Sequence, residues 1–125
     1  MSGLQDLLAR VDKASGGDRE LDRDLHFLVE RPGQPDFHYK LAVRDGWKMP
    51  PFTASLDATL ALVERVLPGW AWMTGCAADG DYFASLQPDI SSDPFNGNGE
   101  DATGATPPLA ILAALLRALI SQEAI

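Results

Sequence analysis

The chain has 125 residues, 46% of them hydrophobic and 22% charged, and a formal net charge of −8. A chain of this length can bury one hydrophobic core and not two, and its composition excludes wholesale disorder. Its acidity counts against direct DNA or RNA binding, because surplus carboxylates repel phosphate backbones, but it suits a basic protein partner.

Residues 1–16 read as an N-terminal helix. Leu4, Leu7, Leu8 and Val11 recur at i, i+3, i+4 and i+7, the spacing of one apolar helix face. Acids lie inside that stretch, which a secretory signal does not carry. Gly16-Gly17 stops the helix, and Asp18 suits the N-cap of a second one. Leu21, Leu25, Leu28 and Val29 form its apolar face, and Arg31-Pro32-Gly33 ends it by turn chemistry. From Phe37 the period changes. Phe37, Tyr39, Leu41 and Val43 alternate with His38, Lys40 and Ala42, which predicts a half-buried strand closed by Asp45-Gly46.

The stretch MPPFTASLDATLALVERV (Met49–Val66) is a proline turn running into an amphipathic helix. Pro50 and Pro51 hold the chain extended. Thr53 or Ser55 offers an N-cap hydroxyl, and Asp57 suits the first turn. Leu56, Leu60, Val63 and Leu67 make the core stripe, and Pro68-Gly69 ends the helix. A start so closely specified is expected to aim this helix across a sheet. Trp70–Thr74 and Tyr82–Gln87 suit strands, with Asp79-Gly80 between them as a hairpin turn. Trp70 and Trp72 fall on one side of their strand, so both are expected in the core.

Residues 88–105 form a long acidic loop, rich in Pro, Gly, Ser, Asn and Asp and long for a structureless connection. Thr106 then serves as N-cap and Pro107 as first residue of the last helix. Leu109, Ile111, Leu112, Leu115, Leu116 and Leu119 cover most of its circumference. Such a helix belongs at the centre of the packing or against a second subunit. It is too short, and carries Arg117, for a membrane span.

Assembled chemistry is sparse. Cys76 is the only cysteine, which rules out an intramolecular disulfide or a cysteine metal cluster and suits a reducing cytoplasm. It has no basic neighbour to make it a reactive thiolate. His26 lies between Asp22 and Glu30 at i−4 and i+4. A divalent metal could use that face, but a solvated helix surface explains it better, since zinc sites draw on more than one histidine. The sequence holds no G-x-S-x-G elbow and no P-loop. DPFNGNGED (Asp93–Asp101) hints at calcium but fails the EF-hand spacing.

Charge is unevenly placed. Nine of the ten Lys and Arg precede Val66, whereas Gly75–Thr103 carries six acids and no base. That acidic stretch is either ordinary solvated loop or a docking surface, with Asp89, Asp93, Glu100 and Asp101 as partner-binding candidates. Trp47, at the mouth of the proline turn, is the candidate aromatic anchor, beside its reading as a packing residue that covers the helix entry.

Four blocks carry a family likeness. LLARVDKASGGDRELDRDL (Leu7–Leu25), GW followed by PPFTASLDATLALV (Gly46–Val63), PGWAW (Pro68–Trp72) and GATPPLAILAALLRAL (Gly104–Leu119) together resemble the phage ABA sandwich domain family, in the same order and over nearly the whole chain. Arg31–Asp45 departs from the pattern. The resemblance implies a bacteriophage or prophage origin and a three-layer α-β-α sandwich, with helices on both faces of a small sheet. It brings no catalytic or binding residue with it. The expectation is one α+β domain over residues 1–125, with a mainly antiparallel sheet of about three strands. Its expected role is that of a non-enzymatic, cytoplasmic accessory protein without cofactor or metal, which binds a host or phage protein. A nucleotide-sequestering sponge, a virion or packaging component and a homodimer stay open beside it.

Overall fold

The computed structural model describes residues 3–33, 35–88 and 100–123. Helix α1 (Gly3–Lys13) buries Leu7 and Val11. Asp18 caps α2 (Arg19–Leu25), its side chain accepting from the Glu20 and Leu21 amides. The helix continues into one π turn, His26–Glu30, closed by Arg31 N–H donating to the His26 carbonyl at 2.8 Å. The extra residue in that turn takes Leu28 out of the apolar face, where it was expected, and leaves it exposed while Val29 is buried.

Helix α3 (Asp36–Arg44) follows, then α4 (Leu56–Val66), β1 (Ala71–Cys76), β2 (Tyr82–Gln87), β3 (Glu100–Gly104) and α5 (Pro107–Glu123). Ser55 is the N-cap of α4, accepting from the Ala58 amide at 3.2 Å. The three strands form an antiparallel sheet in the order β1-β2-β3. The β1–β2 hairpin turns through Gly80, whose φ of 84° is the left-handed region that glycine enters without strain.

The α+β class and the antiparallel sheet are as expected, but two elements differ. Phe37–Val43 is helical, with Asp36 and Lys40 paired at i,i+4 across 2.9 Å. The third strand comes instead from the end of the acidic loop, at Glu100–Gly104. A strand at 37–43 would need a neighbour for its backbone, whereas a helix satisfies its own N–H and C=O groups.

One hydrophobic cluster unites Leu7, Val11, Leu21, Leu25, Leu62 and Val63 with α5, and takes Ala84, Leu86 and Ala102 from the sheet. Register places those three strand residues on one face, with Trp72, Thr74 and Tyr82. The other face carries Met73, Gly75, Ser85, Asp101 and Thr103, and no residue of it belongs to the cluster. Helix α5 packs on the sheet face that carries Ala84, Leu86 and Ala102, and α1 and α4 pack against α5. The cause is α5 itself: buried from Leu109 through Leu116, it needs apolar cover all round. Close approach is built in at Gly104, where an added Cβ would lie 2.7 Å from the Ala110 amide nitrogen. No helix among the described residues is long and apolar enough to cross a membrane.

Candidate functional site

The proline turn is tied to α2. Asp22 is fully buried, and its Oδ1 accepts from both the amide and the hydroxyl of Thr53 at 2.8 Å. Its Oδ2 pairs with Arg19 at 2.9 Å. Arg19 also donates to the Met49 carbonyl at 2.9 Å, and Thr53 Oγ1 accepts from the Asp18 amide at 2.7 Å. Thr53 is thus a tie between segments and Ser55 is the helix cap. This clasp fixes the chain that carries Trp47 against α2 and the π turn.

The result is a cleft of about 490 Å³ beside the π turn, α3 and α4, lined by His26, Glu30, Arg31, Tyr39, Trp47 and Arg65 among others. His26 Nδ1 lies 2.7 Å from Glu30 Oε1, so that nitrogen donates to the carboxylate, and Arg65 stands 3.7 Å from the other oxygen. The rings form a cluster. His26 lies 4.9 Å from Trp47 between centroids, Tyr39 meets Trp47 edge-on at 5.9 Å, and Phe27 meets Tyr39 at 4.9 Å. Trp47 is accordingly half-buried in an aromatic wall. Asp22 belongs to the clasp, so the Asp22-His26-Glu30 face is divided between two networks. Among the described residues no three metal-ligating side chains converge.

A second cleft, of about 510 Å³, lies on the sheet side of α4. Asp57, Leu60, Val63, Glu64, Trp70 and Trp72 line it, together with Ala61 and Gly69, and none of these residues is basic. Trp72 was expected in the core. It is 48% exposed, because β1 is an edge strand and α5 lies mainly over β2 and β3. Trp70 is only partly buried, packed against the core.

Of the four acidic candidates, Asp89 and Asp93 lie outside the described residues. Glu100 and Asp101 are neighbours on β3 and so point to opposite faces of the sheet. Glu100 shares a row with Leu86 and Trp72, while Asp101 is opposite Ser85 on the other face. They do not form one patch, and they lie in a different layer from Trp47.

From sequence, Arg31, Tyr39 and Asp57 have only structural parts, and Arg65 and Glu64 no part as site residues; the clefts also bring in Asp57 and Glu64. The last two carried a signal: Asp57, Ala61 and Glu64 follow one helical stripe. Neither cleft is lined by serine, threonine or cysteine; the lining side chains offer stacking, ion pairing and apolar contact, with the His26 imidazole and the Tyr39 phenol among them. Comparison with protein-family models, curated proteins and solved structures gave no match.

Proposed function

We propose that this is a non-enzymatic phage or prophage accessory protein, cytoplasmic in its bacterial host, that binds a basic protein partner through the acidic cleft beside α4. The observation that carries the reading is the exposure of Trp72 in a cleft that also holds Asp57 and Glu64 and has no lysine or arginine. A tryptophan face attracts an ammonium or guanidinium group, and two carboxylates add Coulomb attraction that salt weakens. Leu60 and Val63 supply apolar contact for the stem of a long basic side chain. The net charge of −8 favours encounter with a basic surface. The phage origin rests on the four sequence blocks.

Capture from host lysate by the wild-type chain, by Trp72→Ala and by Asp57→Asn/Glu64→Gln tests this. The wild type should retain a basic protein, and both variants should lose it with melting temperatures near the wild-type value. Raising salt to about 0.5 M should weaken capture, since screening then acts within a few ångströms. Equal capture by all three proteins would end the proposal. Small-molecule sequestration stands as a second reading, favoured by the basic aromatic cleft on the neighbouring face of α4.

A further inference from the structure

We propose that the cleft beside the π turn binds a planar aromatic anion of mononucleotide size, its ring against Trp47 or Tyr39 and its anionic group on Arg31 and Arg65. The inference gives the second reading above its site and ligand class, and is independent of the Trp72 cleft.

Size is the first support. About 490 Å³ falls within the range of small-molecule sites, roughly 300–1,000 Å³. Rigid aromatic surface is the second. Trp47 and Tyr39 are each half-buried and line the cleft, and His26 packs against Trp47 and Phe27 against Tyr39. A half-buried aromatic ring that lines a cleft offers stacking surface to a heterocycle.

Charge is the third support, and it runs against the character of the whole molecule. In a chain of net charge −8, this cleft holds two guanidinium groups and one carboxylate. That carboxylate, Glu30, already accepts from His26. Arg65 stands 3.7 Å from it, too far for a hydrogen bond, which leaves its donors for a ligand. Arg31 is exposed and has no ion pair or hydrogen bond from its side chain among the described residues. A guanidinium presents a planar fork of donors that matches phosphate or carboxylate oxygens in pairs. The Asp22–Thr53 clasp ties the proline turn that follows Trp47 to α2, and such fixed support favours a binding site.

The test titrates the full chain with AMP, GMP and UMP, and separately with adenosine and ribose 5-phosphate, by calorimetry and tryptophan fluorescence. At least one mononucleotide should saturate the protein. Adenosine, which lacks the anion, and ribose 5-phosphate, which lacks the ring, should each bind at least about tenfold more weakly. Arg31→Ala alters only an exposed side chain and should weaken mononucleotide binding about tenfold or more. Trp47→Phe keeps a ring in the wall and should reduce affinity a few-fold with a smaller change in fluorescence. No saturation by any mononucleotide up to about 5 mM, where even millimolar affinity would be visible, overturns the proposal. So does adenosine or ribose 5-phosphate binding as tightly as the mononucleotide, or an Arg31→Ala variant of unchanged affinity. Loss of lysate capture by Trp72→Ala bears only on the other cleft, so the two readings fail separately.

Discussion

Replacing Asp22 by alanine tests the clasp between α2 and the proline turn. The wild-type carboxylate is fully buried and meets three donors, two from Thr53 at 2.8 Å and one from Arg19 at 2.9 Å. These contacts are not equally exposed to the loss. The Thr53 amide would be left buried without an acceptor, a penalty of about 1–3 kcal/mol. The Thr53 hydroxyl can turn to the Asp18 carbonyl, already 3.2 Å away, so its share is small. Arg19 has a side chain 62% exposed and recovers water, so its share is also small. Adding the lost packing around a buried side chain gives about 2–4 kcal/mol, or a fall in melting temperature of roughly 8–15 °C for a chain of this size. Urea unfolding followed by circular dichroism should give a lower midpoint with an unchanged slope. Arg19→Ala should cost less than about 1 kcal/mol. Two outcomes would refute the reasoning: Asp22→Ala within about 0.5 kcal/mol of wild type, or Arg19→Ala as damaging as Asp22→Ala.

Leu112→Ala or Leu116→Ala, both wholly buried in α5, should cost about 2–5 kcal/mol in the same assay; a cost under about 0.5 kcal/mol at both would place α5 at the periphery. Gly104→Ala forces a methyl group to within 2.7 Å of the Ala110 amide nitrogen, a backbone atom that cannot rotate away, and should cost about 1–3 kcal/mol. Gly16→Ala, with nothing within 4 Å of the new methyl group, is the near-neutral control. Ser55→Ala removes the α4 cap and should lose about 1 kcal/mol of stability, while leaving capture of a partner by Trp72 unaffected.

Local sequence determined the elements whose signals are local. The leucine spacing of α1 and α4, the caps at Asp18, Ser55 and Thr106, and the Asp79-Gly80 turn each act within a few residues, and each is present where the sequence placed it. The apolar surface of α5, broken by Arg117, called for cover on most sides, at the centre of the packing or against a second subunit, and the helix lies buried against the sheet, α1 and α4. Tertiary structure decided the rest. Phe37–Arg44 alternates like a strand, but without a neighbouring strand it takes the helix that satisfies its own backbone. Conversely, Glu100-Asp-Ala-Thr-Gly104 has little strand propensity of its own. It becomes β3 because β2 offers a free edge, and because Ala102 and Gly104 are small enough to admit α5. Both clefts are of this second kind. Trp47 and His26 meet across 4.9 Å although 21 positions separate them in the chain, and Asp22 finds Thr53 across 31. Periodicity can place a residue on a face. Only packing decides which distant face it meets, and whether, like Trp72 on its edge strand, it is left with one side in water.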